Sequence, residues 1–218
     1  MNNQSQSLGI ALSERIRQDI LFGRLAPGEK LRLKMLSERY DCGASPIREA
    51  LNQLTTDGWV VRIDKRGFFV SDTSRTEFDD ILRNRCFMEG EALRLSIERG
   101  DAAWEERVLL SHHRLRQLKR PGDPTPVAAI AGWEEAHKDF HMSLISGCGS
   151  PFLIATCDKL YYLNIRYRHM ARSKSQRSRT VASEHEQITD LALSRKTEEA
   201  VGALQEHYMV TGRFLFDE

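Results

Sequence analysis

The chain has 218 residues, 40% apolar and 29% charged, the profile of an ordinary globular protein with length for two domains that each bury a core. No apolar run approaches the roughly 18 residues a membrane span needs, and residues 1–16 lack the basic-then-apolar order of a secretory signal, so a cytoplasmic protein is expected. A formal net charge of +1 neither demands nor excludes nucleic acid, and Cys42, Cys86, Cys148 and Cys157, with no C-x-x-C pair, exclude a disulfide framework and a zinc finger.

Leu12, Ile16 and Ile20 recur every four residues between charged ones, which predicts an amphipathic helix from Leu8 to Phe22, ended by Gly23. After Ala26-Pro27-Gly28, the spacing of Leu33, Leu36 and Tyr40 predicts a second, short helix that closes near residues 41–43. A third is predicted to open at Ser45-Pro46, with the Ser hydroxyl as cap and Pro in the first helical position, and to run to Gly58. Alternation then replaces helical spacing. Trp59, Val61 and Ile63, the turn at residues 64–67 and the run Phe68-Phe69-Val70 predict a β-hairpin with a basic tip, followed by a polar linker over Ser71 to Thr76.

Beyond the linker every segment reads as helix, at 77–99, 102–119, 127–147, 151–171, 182–195 and 197–216. Breaks are expected at Gly100-Asp101, 121–126, 147–150 and 172–180, with Ser150 and Thr197 as caps. The expected architecture is therefore mostly α: a winged helix-turn-helix over residues 1–72, then an all-α bundle over residues 77–218.

In a winged helix-turn-helix the third helix enters the major groove. Ile47, Leu51 and Leu54 face the core of that helix, which leaves Ser45, Arg48 and Asn52 on the opposite face, with Arg48 able to fork onto a guanine. Lys65 and Arg66 at the hairpin tip offer charge to phosphates, and Gly67 allows close backbone approach. The alternative is a small interaction module in which Arg48 is a surface arginine and the tip a solvated turn.

His137 and His141, at i and i+4, share one helical face, which suits two imidazoles converging on one metal ion. His112, His113 and His169 read as partly exposed, and Asp139 as solvated. The H-x-x-x-H spacing is also that of zinc proteases, but the position of their general-base glutamate holds Lys138, and neither a nucleophile elbow nor a phosphate loop is found, so catalysis is set aside. Arg85, four residues before Glu89, reads by itself as a helical ion pair.

The segment from Asp41 to Leu51 (DCGASPIREAL), Asp57-Gly58-Trp59 and residues 66–70 (RGFFV) strongly resemble the DNA-binding domain of the GntR superfamily. Arg85-x-x-x-Glu89, His137-x-x-x-His141, Glu184-His185 and His207-Tyr208 resemble the FCD ligand domain of its FadR subfamily. Gly-Ala-Ser-Pro-Ile-Arg, Gly100-Asp101 with Trp104-Glu105, and Cys148-Gly149-Ser150-Pro151 look most like CsiR-type repressors of glutarate and related dicarboxylate catabolism. The resemblance implies a homodimer on a palindromic operator in double-stranded DNA, contacted by Lys34, Ser45, Arg48, Arg66 and Gly67. It also implies a divalent transition metal, zinc or nickel first, held by His137, His141, His185 and His207, and a small carboxylate effector held by Arg85, with Arg166 as a further candidate. Two positions depart from the family: Ala44 stands where many members have a second arginine, and His137 where most have aspartate.

Overall fold

The computed structural model describes residues 2–119, 127–172 and 181–216. The chain folds as two compact units, Met1–Ser74 and Arg75–Glu218. The first holds helices α1 (Asn2–Leu21), α2 (Leu33–Tyr40) and α3 (Ala44–Thr56) and strands β1 (Lys30–Leu31), β2 (Val60–Ile63) and β3 (Gly67–Val70). The strands form an antiparallel sheet in the order β1-β3-β2, with Val60 opposite Val70 and Ile63 opposite Gly67. Leu12, Ile16 and Ile20 of α1 are buried with Ile47, Leu51 and Leu54 of α3, the two apolar stripes the spacing predicts.

Four local differences from the expected elements have simple causes. Residues 2–7 are polar but contain no breaker, so α1 starts before Leu8. The two-residue strand β1 is too short to show any periodicity. Helix α3 begins at Ala44 behind Gly43, whose extended backbone starts the turn without a side-chain cap, so Ser45 lies inside the first turn. Pro46 is still tolerated there, because the first four N–H groups of a helix have no intrahelical partner to lose. Ser71 belongs to the hairpin rather than to a linker: its N–H donates to the Trp59 carbonyl at 3.0 Å and its hydroxyl to the Gly58 carbonyl at 2.8 Å.

The second unit comprises α4 (Arg75–Arg99), α5 (Ala102–Gln117), α6 (Val127–Ile145), α7 (Pro151–Arg172), α8 (Val181–Leu193) and α9 (Thr197–Phe216). Helix α4 packs against α6, α7 and α9, while α5 packs against α6 and α8. Asp101 caps α5 by accepting from the Trp104 N–H at 2.8 Å, and the Ser150 hydroxyl accepts from the Leu153 N–H at 3.3 Å at the start of α7. The break expected at 121–126, all but the first residue of the one expected at 172–180, and the side chain of His169 lie outside the described residues, and Arg172 is the last residue of α7. His112 corrects the sequence reading: it is buried against Phe140, ring centroids 5.4 Å apart, because it shares with Val108 and Leu115 the face of α5 turned to the core. Burial lowers its pKa below the ordinary imidazole value.

Gly100, between α4 and α5, is fixed by packing. A Cβ there would lie 2.3 Å from the Trp104 ring and 2.5 Å from the Ser96 carbonyl oxygen. Trp104 is fully buried and donates through Nε1 to the Leu144 carbonyl at 3.2 Å, so it has no room to retreat. Gly100→Ala is expected to destabilise the helical unit by about 3 kcal/mol, the upper part of the range for overpacking, read as a lower urea midpoint. An unchanged midpoint would refute this account of the α4–α5 corner.

Candidate functional site

In the first unit, α3 buries Ile47, Ala50, Leu51 and Leu54 and exposes Ser45, Arg48 and Asn52, three positions of one helical face. Lys34 is exposed in the first turn of α2. At the hairpin tip Lys65 (φ 56°) and Gly67 (φ 98°) both take left-handed backbone, which turns the chain within three residues and leaves Lys65 and Arg66 exposed. Two further basic residues not picked out from sequence, Lys30 and Arg62, join the sheet: Lys30 lies against the Phe69 ring at 5.7 Å, as Arg66 does at 5.5 Å, and Arg62 lies against Phe68 at 5.8 Å. Lys30 is reached only through the pairing of β1 with Phe69, which no local pattern reveals.

In the helical unit, α6 supplies His137 and His141, α8 supplies His185 and α9 supplies His207. All four are buried, and one potential ligand nitrogen from each lies within 4.8 Å of the others. Trp133 stacks on His137 with ring centroids 4.6 Å apart, and Phe140 packs against His141 and His185. Two stacked or edge-on aromatics thus fix the ring planes from the apolar side.

The second ring nitrogens decide what the cluster can hold. His207 Nδ1 lies 2.7 Å from Glu184 Oε2, and a carboxylate only accepts, so this nitrogen carries the proton. Tyr208 donates its hydroxyl hydrogen to Glu89, so its oxygen is left to accept from His141 Nδ1 at 2.9 Å. Tyr161 donates to the Glu134 carbonyl at 3.4 Å and in the same way accepts from His137 Nδ1 at 2.9 Å. With Nδ1 as the donor, each of these imidazoles turns Nε2 to the cluster as its acceptor or ligand atom, and the Nε2 atoms of His137 and His141 lie 3.2 Å apart. Two ring nitrogens at that distance share either a proton or a cation. The donor set therefore fits a metal ion, with Glu184, Tyr208 and Tyr161 as the outer groups that orient its ligands.

A buried ionic network continues outward from the histidines. Arg85 Nε donates to Glu89 Oε1 at 2.6 Å and Nη2 to Oε2 at 3.2 Å, while Nη1 donates to Asn164 Oδ1 at 2.9 Å. Its guanidinium also lies 4.0 Å from the Tyr208 ring centroid. Burial works against the charge on Arg85, but Glu89 and Tyr208 outweigh it and hold the pKa above its ordinary value; burial and Glu89 push the Tyr208 hydroxyl well up. The ion pair that the i, i+4 spacing of Arg85 and Glu89 predicts is thus present, and it is buried rather than solvated. Arg166, also buried, donates Nη2 to Glu77 Oε2 at 2.9 Å. Asp139 is exposed, as expected.

Residues 10–70 match the bacterial regulatory proteins of the gntR family, and residues 80–209, more than half of the chain, match the FCD domain. The chain belongs to the GntR family, in its FCD-bearing branch. This GntR-family regulator is 38% identical over 202 residues to the HTH-type transcriptional regulator BphR of Paraburkholderia xenovorans, covering 93% of this chain and 82% of that one. It is 31% identical over 198 residues to the HTH-type transcriptional repressor GlaR of Escherichia coli, covering 89% of each. Among solved structures, E. coli McbR/YncC superposes with a TM-score of 0.77 at 19% identity over 96% of this chain and 97% of that one, a likeness of fold. These are DNA-binding transcriptional regulators rather than enzymes, and the FCD domain is an effector-binding module. Among the described residues no helix is long and apolar enough to cross a membrane.

Proposed function

We propose that this GntR-family regulator acts in the cytoplasm as a homodimeric repressor of a catabolic operon, released by a small dicarboxylate. Residues 1–72 form its DNA-reading head and residues 77–218 its sensing unit. Ser45, Arg48 and Asn52 read base edges of a palindromic operator, while Lys34, Lys65, Arg66 and Gly67 meet its backbone. His137, His141, His185 and His207 hold a divalent transition metal, zinc or nickel, and Arg85 and Arg166 form the basic side of the effector site. The observation that carries the sensing half is the convergence of four buried imidazoles, three of them oriented with Nε2 inward.

Four neutral ligands leave a bound divalent ion with its full charge, so the metal would supply positive charge for an anionic ligand. Arg85 and Arg166 add cations on facing helices, and a ligand with two acid groups meets both kinds of charge. The purified protein is expected to carry about one metal ion per chain by elemental analysis, lost in His141→Ala. Glutarate is expected to raise the melting temperature of the metal-loaded protein and to release operator DNA, because a ligand that binds only the native state stabilises it. Metal-free and metal-loaded protein of equal stability, with a His141→Ala variant that responds like wild type, would reduce the cluster to packed histidines.

A further inference from the structure

The two buried arginines of the helical unit differ in what they leave open. All three nitrogens of Arg85 have partners. Arg166 is as deeply buried, at 3% exposure, yet only Nη2 is engaged, by Glu77, while Nε and Nη1 are buried with no hydrogen-bond partner among the described residues. Buried donors are rarely left in that condition, and on a permanently charged fork they mark a place for an acceptor.

Guanidinium geometry restricts how that acceptor can arrive. A carboxylate grips arginine with both oxygens along the side edge, Nε with Nη2, or along the end, Nη1 with Nη2; the remaining side is closed by the arginine's own Cδ. Both open edges include Nη2. Nη2 carries one hydrogen on each edge, so a two-pronged carboxylate on the edge where Glu77 sits takes the hydrogen that holds Glu77, and on the other edge it brings a second negative charge to the same nitrogen.

Glu77 is suited to give way. Its side chain is 42% exposed, so water can take it over, and it lies in the first turn of α4, which begins at Arg75 next to the boundary between the two units. Tyr167 holds it as well, donating its hydroxyl hydrogen to the same oxygen, Oε2. Arg166 and Tyr167 share α7 with Tyr161, which orients His137.

We propose that Arg166 is the receptor for a carboxylate of the effector and that Glu77 is its resident placeholder, displaced when the ligand binds, so that the first turn of α4 is released. This rests on the reading of the helical unit as a sensor of small carboxylates. It assigns the ligand-dependent step to an exchange of one carboxylate for another on the same donors, with no change in the charge of Arg166.

The test is calorimetric titration of glutarate into metal-loaded full-length wild type, Glu77→Gln, Arg166→Gln and Arg166→Lys, with hydrogen exchange followed over residues 75–81. Removing the competitor's charge in Glu77→Gln is expected to tighten glutarate binding about tenfold. Loss of the fork is expected to weaken it by about tenfold or more in both Arg166 variants. Metal content should equal that of wild type in all three variants, and glutarate should speed exchange of residues 75–81 in wild type. Arg166→Lys keeps the buried charge, so it reports on the fork even if Arg166→Gln folds poorly. Unchanged or weaker binding by Glu77→Gln, or full affinity in Arg166→Lys, overturns the placeholder model while the sensor reading stands. A wild type that binds no glutarate overturns the dicarboxylate reading and this inference with it.

Discussion

Arg48→Ala is expected to abolish specific operator binding while leaving the fold intact. The side chain is exposed on α3, between Ser45 and Asn52 on the face opposite the buried Ile47, Leu51 and Leu54, so its removal disturbs no packing. A two-pronged contact from arginine to a guanine is worth roughly 1–3 kcal/mol of discrimination. A two-fold symmetric dimer makes the contact in both half-sites and forfeits it twice. Lys65→Ala provides the contrast. In the proposed role its ammonium meets a phosphate and reads no base, so its loss should weaken specific and random DNA alike and reduce the slope of log affinity against log salt by about 1. Melting temperature should be unchanged in both variants. Equal affinity of wild type and Arg48→Ala for the operator, measured at one salt concentration, would remove α3 from the role of reader.

The parts of the molecule legible in its sequence are those that local spacing encodes. The apolar stripe of Leu12, Ile16 and Ile20, the alternation around Val61 and the i, i+4 pair His137 and His141 each signal their element or shared face within one or two turns. Two kinds of information lie outside that range. One is pairing at long separation: β1 exists because Lys30 and Leu31 meet Phe69 and Phe68, and no run of two residues carries a period. The other is the partner of a polar atom. By spacing alone Arg85 and Glu89 read as a helical ion pair at i, i+4, worth a few tenths of a kcal/mol. Only the packing of α4 against α7 and α9 shows the pair buried, sharing Tyr208 with His141. Tyr161, Glu184 and Tyr208 escape the sequence reading as orienting groups for the same reason, since each touches a histidine more than 20 positions away in sequence.

That shared tyrosine makes Glu89 the residue whose loss should be felt in two places. Arg85 and Glu89 are 2% and 1% exposed, so Glu89→Ala leaves a guanidinium in the interior with Asn164 as its remaining acceptor. Breaking a buried pair from one side costs about 3–5 kcal/mol, because the surviving charge is neither hydrated nor neutralised. The second effect is on the histidines. With its carboxylate acceptor gone, the Tyr208 hydroxyl can turn its hydrogen to His141 Nδ1, which drives the ring proton to Nε2, the atom 3.2 Å from His137 Nε2. An imidazole protonated there cannot serve as a ligand through that atom, and changes in outer groups of this kind typically weaken metal binding about 10–100-fold. Glu89→Gln separates the two effects. Its amide oxygen can still accept from Tyr208 and preserve the tautomer, while the charge opposite Arg85 is lost. The expected order of urea midpoints, measured metal-free, is wild type well above both variants. For metal affinity the expected order is wild type close to Glu89→Gln and both well above Glu89→Ala, with the nitrogen-15 shifts of His141 reporting the exchanged tautomer. Should Glu89→Ala bind metal as tightly as wild type, the Tyr208 relay has no part in setting His141, and the orientation of that ring must come from its packing against Phe140.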